Sequence, residues 1–379
     1  MKSNFKVATI IGTRPEIIRL SSTIKLLDKH VTQVIIHTGQ NYDYELNEVF
    51  FEDLGLRKPD YFLEVDTSSL GKVYGETISK SEEVLIKEKP DALLILGDTN
   101  SSISGIIAKR LRIPIYHMEA GNRCFDFNVP EEINRRIIDH VADFNLVYTE
   151  HARRHLISEG LPHRRIYLTG SPMKEVLLEN MEKINSSNIL KKLNLKDKEY
   201  FIVSTHREEN VDNKENLIKI VTILNLLAEK YGFPVVVSTH PRTRKRLEEL
   251  EGIEINEKIQ FLKPFGFFDY VHLQMHATAA ISDSGTISEE SSMLSFPAIS
   301  LRESMERPEA QDAGTIVLTG FDPSVVLDSI AITIEEHEVN GAYKRISDDY
   351  TIENTSWRVL KLILGTARLS NNWWGIKKK

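Results

Sequence analysis

Val7-Ala8-Thr9-Ile10-Ile11 runs directly into Gly12-Thr13-Arg14-Pro15-Glu16, and this ten-residue stretch decides the fold. A short apolar run of strand character stops at a glycine, and Pro15 stands where the first turn of a helix would begin. The same abrupt stop recurs five times. Ala92 to Leu96 ends in Gly97-Asp98-Thr99-Asn100, Ile113 to Tyr116 in His117-Met118-Glu119-Ala120-Gly121, and Phe201 to Val203 in Ser204-Thr205-His206-Arg207-Glu208. Val235 to Val237 ends in Ser238-Thr239-His240-Pro241-Arg242, and Ala279 to Ile281 in Ser282-Asp283-Ser284-Gly285-Thr286. Continuous apolar runs separated by helix-length segments are the pattern of buried parallel strands, and ligands of open α/β sheets bind beyond the carboxyl ends of such strands. All six clusters are expected at that edge.

Outward from these stops, strand-like runs near residues 6, 33, 91, 113, 144 and 166 alternate with helical patterns at Glu16 to Asp28, Leu70 to Lys87 and Val129 to His140. This is repeated βαβ, hence an α/β fold with a doubly wound parallel sheet. A polar stretch rich in lysine and asparagine follows, and the alternation resumes with strands near 201, 234, 258, 279, 297 and 315. Two Rossmann-like domains are therefore expected, residues 1–172 joined by 355–379, and residues 173–354. A length of 379 residues suits two cores better than one. A last helical pattern, Asn354 to Leu369, is followed by Trp373, Trp374 and lysines; it reads as a helix packed across the domain seam rather than a membrane anchor.

With 41% hydrophobic and 27% charged residues the chain reads as globular, and a net charge of −7 argues against non-specific nucleic-acid binding. The single cysteine, Cys124, leaves no intramolecular disulfide and no cysteine-based zinc site, and fits a reducing compartment. Neither a signal-peptide core nor an 18-residue apolar stretch occurs, so a cytoplasmic location without membrane contact is expected.

Several residues at the strand ends have chemistry to offer. Arg14 can fork onto phosphate oxygens or simply pair with Glu16. Thr286 and Glu289 form a capping-box pattern after Gly285, and such a helix start favours a diphosphate. A plain capped helix is the alternative, but His206, Arg207, His240 and Arg242 on neighbouring strand ends favour phosphate. Asp98, Glu119 and Glu131 could divide general base and general acid work between them, although Glu131 also suits a simple helix start. Neither a Gly-x-Gly-x-x-Gly nor a P-loop motif is present. The His-x-x-x-His spacings at His151/His155 and His272/His276 lack the glutamate of a zinc hydrolase, and Mg2+ stays open on these grounds.

At these residues the chain resembles the non-hydrolysing UDP-N-acetylglucosamine 2-epimerase family over nearly its whole length. The resemblance rests on Gly-Thr-Arg-Pro-Glu at 12 to 16, Gly-Asp-Thr at 97 to 99, His-Met-Glu-Ala-Gly at 117 to 121, Pro-Glu-Glu-Ile-Asn-Arg at 130 to 135, Asp-Ser-Gly at 283 to 285 and Glu-Arg-Pro-Glu at 306 to 309, in that order. It implies a glycosyltransferase-B type fold with the active site in the interdomain cleft and the last helix returning to the first domain. It also implies an isomerase that eliminates UDP to a 2-acetamidoglycal, protonates C2 from the opposite face and re-adds UDP, without metal or nicotinamide.

By position, the resemblance makes Asp98, Glu119 and Glu131 the proton-handling carboxylates and His206 the histidine beside the leaving diphosphate. Arg14, His240, Ser284 and Gly285 would hold phosphates, Glu290 the ribose hydroxyls and Tyr270 the uracil, with Arg307 near the sugar or diphosphate. Arg19 stands where lysine is common and Thr286 where the family has glycine. Those two changes, Asn122-Arg123-Cys124-Phe125-Asp126, Thr205-His206-Arg207-Glu208-Glu209-Asn210, and Gly39-Gln40-Asn41-Tyr42-Asp43 in place of an allosteric Gln-His segment resemble the branch that converts UDP-2-acetamido-2,6-dideoxy-L-talose to UDP-N-acetyl-L-fucosamine for capsule or O-antigen. A UDP-N-acetylglucosamine epimerase, a hydrolysing epimerase, a UDP-sugar glycosyltransferase and a non-catalytic sensor remain alternatives. A UDP-sugar as partner and a homodimer built on first-domain helices complete the expectations.

Overall fold

The computed structural model describes residues 3–39, 50–250, 252–340 and 347–376, so Gln40 to Asp43 lie outside the described residues. The chain divides into two compact units, residues 1–179 with 351–379, and residues 180–350. In the first, β1 (Ser3–Ile11), β2 (Val31–His37), β3 (Tyr61–Phe62), β4 (Ala92–Leu96), β5 (Ile115–Met118), β6 (Phe144–Val147) and β7 (Ile166–Leu168) form one sheet in the order β3-β2-β1-β4-β5-β6-β7. In the second, β8 (Phe201–Ser204), β9 (Val235–Ser238), β10 (Ile259–Leu262), β11 (Ala279–Ser282), β12 (Ala298–Ser300) and β13 (Val317–Leu318) run in the order β10-β9-β8-β11-β12-β13. Among the described residues every strand pair is parallel. Helices cover both faces of such a sheet, so β4 is apolar and buried throughout instead of alternating.

The strand orders place a topological switch point in each unit, between β1 and β4 and between β8 and β11, where the chain winds off in opposite directions and leaves a crevice at the carboxyl ends. Gly12 and Gly97-Asp98 flank the first crevice; Thr205-His206 and Asp283-Ser284 flank the second. In the first unit, Ile10, Ile36, Leu93, Ile95, Ile115 and Ile138 form part of one core cluster, and in the second Phe201, Val203, Leu224, Val237, Ile281 and Ile299 form part of another.

Helix Thr355–Trp373 packs on helix Arg14–His30 within the first unit. Tyr116 Oη lies 2.7 Å from Thr366 Oγ1, and Arg165 Nη1 donates to Ser370 Oγ at 3.1 Å. The Arg165 guanidinium stands over the rings of Trp373 and Trp374 at 5.2 and 4.3 Å, so the paired tryptophans cap this unit. Trp373 closes the helix rather than following it.

Two local expectations are corrected. Strand β5 ends at Met118, not Tyr116, because His117 is a core residue whose Nε2 meets the Gly97 carbonyl and whose Nδ1 faces the buried Asp139 carboxylate. The capping box at Thr286 does not form: Thr286 is itself in right-handed helical geometry, its hydroxyl lies 2.9 Å from Ser284 Oγ, and Glu289 turns to Arg307.

Candidate active site

At the first switch point the loop after β1 closes on a single carboxylate. Glu16 Oε2 accepts from the amides of Gly12 and Thr13, both at 2.7 Å, and from Thr13 Oγ1 at 3.0 Å. Its Oε1 accepts from Thr99 Oγ1 at 2.7 Å, across the crevice beside Asp98. Burial lifts the Glu16 carboxyl to about 7 in spite of these hydrogen bonds. Arg14, exposed at the start of the helix, stands over the Phe50 ring at 5.5 Å.

The candidate proton-handling groups follow adjacent strands. Leu96 of β4 pairs with Met118 of β5, so Asp98 and Glu119 emerge side by side. The Arg135 guanidinium holds Asp98 Oδ2 through Nε at 2.8 Å and Nη2 at 2.5 Å. Glu119 pairs with the buried Arg19, accepts from Asn122 Nδ2 at 3.3 Å, and adopts φ +64°. Left-handed geometry costs a non-glycine residue about 1–2 kcal/mol, a strain that functional positions commonly retain. Glu131 is exposed in the first turn of helix Pro130–Val141; one turn on, Asn134 donates to the Asp98 carbonyl at 2.9 Å. Tyr74 fixes Asn134 through a 2.5 Å hydrogen bond. Arg135 and Asn134 were not singled out from the sequence, yet their i+4 and i+3 spacing from Glu131 puts all three on one helix face, a signal that could have found them.

Beneath this edge runs a buried charge network. His117 Nε2 lies 2.8 Å from the Gly97 carbonyl and Nδ1 lies 2.9 Å from Asp139 Oδ1. Asp139 also accepts from Gly121 N at 3.1 Å and Arg123 Nη1 at 2.7 Å, while Arg123 Nη2 reaches Glu159 at 2.6 Å. Burial alone would raise the Asp139 carboxyl, but His117 and Arg123 outweigh it and hold it below its ordinary value.

The second switch point closes in a parallel way. Asp283, fully buried, takes the amides of His206 and Arg207, each at 3.0 Å, and Asn210 Nδ2 at 2.9 Å, all on Oδ2. His206 Nδ1 lies 3.2 Å from Oδ1. Burial pushes this carboxyl up, yet the His206 ring and the three donors win and leave it at about 2. Ser284, Gly285 and Thr286 follow; a Cβ on Gly285 would stand 3.2 Å from Glu306 Oε2, so only a small residue fits there easily.

The remaining candidates spread around this edge. His240 is exposed and precedes helix Pro241–Glu248, with its Nδ1 3.4 Å from Arg242 N. The Tyr270 hydroxyl reaches Ser204 and Ser282, at the ends of β8 and β11, and burial raises its pKa. Glu290 Oε2 accepts from Gln274 Nε2 at 2.8 Å. Arg307 is buried against Glu289. Arg207 and Arg242, expected from the sequence to favour a bound phosphate, contact Glu306 at 3.3 Å and Asp212 respectively. Among the described residues, no group of three or more His, Cys, Asp or Glu could hold a metal ion, and no helix is long and apolar enough to cross a membrane.

Two Rossmann-like units, one presenting carboxylates and one presenting histidines and a glycine-containing turn at the strand ends, define an α/β enzyme of the glycosyltransferase-B fold type. Residues 25–364 match the family described as UDP-N-acetylglucosamine 2-epimerase, and the chain belongs to that family of isomerases. It is 37% identical over 339 residues to the UDP-N-acetylglucosamine 2-epimerase of Methanocaldococcus jannaschii, covering 87% of this chain and 93% of that one. It is 34% identical to the UDP-2,3-diacetamido-2,3-dideoxy-D-glucuronate 2-epimerase of Pseudomonas aeruginosa, covering 86% and 91%. Among solved structures, the UDP-N-acetylglucosamine 2-epimerase of Rickettsia bellii superposes with a TM-score of 0.92 at 50% identity, covering 98% and 100%. The M. jannaschii enzyme in complex with UDP-GlcNAc and UDP gives 0.87 at 34% identity, covering 95% and 100%.

Proposed function

We propose that this protein inverts C2 of a UDP-N-acetylhexosamine without net hydrolysis. The carrying observation is that Asp98 and Glu119 emerge side by side from adjacent strands, each with a guanidinium partner. In this reading the C1–O bond to UDP breaks with its electron pair on the diphosphate, and a first-unit carboxylate removes the C2 proton. A second acid group returns a proton to the opposite face of the 2-acetamidoglycal, and UDP re-adds at C1. No carbonyl acidifies C2–H, so stabilising the departing diphosphate matters more than base strength. That task falls to His206, His240, Arg14 and the Ser284-Gly285-Thr286 turn, with Tyr270 and Glu290 taking the nucleoside and Arg307 near the sugar or diphosphate.

The substrate we favour is UDP-2-acetamido-2,6-dideoxy-L-talose, giving UDP-N-acetyl-L-fucosamine for capsule or O-antigen; the segments 122–126 and 205–210 support it. The second reading, UDP-N-acetylglucosamine to its manno epimer, is supported by the descriptions of the M. jannaschii and R. bellii relatives. The P. aeruginosa relative is described as acting on yet another UDP-sugar, so family membership leaves the sugar open. The proposal includes a cytoplasmic homodimer, which sedimentation would test.

NMR in D2O with each UDP-sugar decides the reaction. Deuterium at C2 with a new epimer and little free UDP is expected, and the sugar that turns over names the branch. Stoichiometric UDP release would mean a hydrolysing enzyme, and no exchange with either sugar would refute the proposal.

A further inference from the structure

We propose that Asp283 is a positioning residue that locks the His206 ring with Nδ1–H turned to the buried carboxylate and Nε2 presented to the leaving diphosphate; only the identity of that ligand rests on the epimerase reading. The geometry carries the assignment. Asp283 is fully buried, whereas the His206 side chain is 49% exposed, so the ring meets the carboxylate along its Nδ1 edge and shows the other edge outward. Among the described residues, the other groups that reach this carboxylate are donors: His206 N, Arg207 N and Asn210 Nδ2. A carboxylate offers no hydrogen of its own, so Nδ1 at 3.2 Å must carry the proton, and the neutral ring is left with an open lone pair at Nε2.

Asp283 is itself held from both ends. Its carbonyl takes Arg207 Nε at 2.8 Å, and its strand is paired with that of His206 through Ser282 and Ser204. The ring is thereby fixed across the switch point by groups that belong to neighbouring strands, which is where an anionic ligand is expected in this topology. When the diphosphate binds, Nε2 takes up one proton from solvent; the ring, its Nδ1–H answered by Asp283, then donates Nε2–H to a diphosphate oxygen as the C1–O electron pair departs, and that proton returns to solvent when the ligand leaves. No proton need cross this hydrogen bond, and the C2 proton goes to a first-unit carboxylate, so the step balances.

The test combines a spectrum and a mutant cycle. In 15N-histidine-labelled protein, the His206 signals are identified by their absence in His206→Ala. The neutral wild-type ring is expected as the Nδ1–H tautomer, and added UDP should move its Nε2 resonance more than Nδ1. An Nε2–H wild-type ring, or no response of Nε2 to UDP, overturns the proposal without needing any Asp283 variant to fold. Asp283→Asn should lower kcat by about 10²-fold or more, with KM and UDP affinity changed less than about threefold. Combined with His206→Ala it should cost no more than His206→Ala alone; full additivity of the two losses refutes a joint role. If wild type moves Nε2 with UDP but exchanges no C2 deuterium, the Asp283–His206 assignment stands and the epimerase reading falls.

Discussion

Replacing Glu16 by glutamine should remove a pH-dependent penalty from the first unit. The buried carboxyl is raised from 4.5 to about 7 in the folded chain, so between those values the native state holds a proton that the unfolded state has lost. Stability contributed by such a group is complete below the unfolded value and is lost as pH rises through the folded one. About 2.5 pKa units at 1.36 kcal/mol each amounts to roughly 3 kcal/mol, forfeited by wild type between pH 4.5 and 8. Glutamine keeps an acceptor for the Gly12 and Thr13 amides and can donate to Thr99, but it does not titrate. Urea midpoints of both proteins across this range give the difference directly, with contributions of all other groups cancelling. The variant should gain on wild type by about 2–4 kcal/mol as pH rises. A difference that stays constant would refute the idea that burial governs Glu16.

Other variants probe the neighbouring elements. Asp98→Asn and Glu119→Gln should each lose about 10²-fold or more in turnover while keeping UDP affinity, as calorimetric titration would show; near-normal turnover in both defeats their assignment as proton-transfer groups. Gly121→Ala places a Cβ 2.4 Å from the Ala152 carbonyl oxygen at φ +82°, and a loss of more than about 3 kcal/mol is expected in urea unfolding. Arg123→Met strips the cation from buried Asp139 and should cost about 3–5 kcal/mol by the same measurement. Arg123→Lys should recover only part of this, because one ammonium cannot reproduce the fork that serves Asp139 and Glu159 together.

The doubly wound architecture was legible because strands buried on both faces must be apolar throughout, and their ends stand out against Gly97, Thr205 or Asp283. The limits of that signal are visible at particular residues. β3 spans only Tyr61–Phe62, too short to leave a pattern. A histidine ordinarily ends an apolar run, whereas His117 stays inside the sheet with Nε2 on the Gly97 carbonyl and Nδ1 facing the Asp139 carboxylate. The sequence also shows an acid beside a loop without showing which way it turns. Glu16 folds back onto its own helix entrance, Asp283 reaches across to the adjacent strand, and Glu289 abandons Thr286 for Arg307. The turn of Glu16 is local, a capping box with Thr13, but the choices of Asp283 and Glu289 depend on partners distant in the chain. Motif order marks the candidate residues of both crevices, and helix spacing points to Arg135, but which carboxylate each of Arg135 and His206 meets is a matter of tertiary structure.

The helix Thr355–Trp373 belongs to a unit whose other part ends at residue 179, and this fixes an order of events during synthesis. At a ribosomal pace of about 5–20 residues per second, residues 180–350 occupy roughly 10 to 35 s before that helix can be made. Throughout this interval the outer face of helix Arg14–His30 and the Arg165 guanidinium lack the cover that Trp373, Trp374 and Ser370 later provide. The first unit to be translated is thus the last to be completed, and nascent chains stalled inside the second unit should carry an apolar, cationic face that a chaperone can hold.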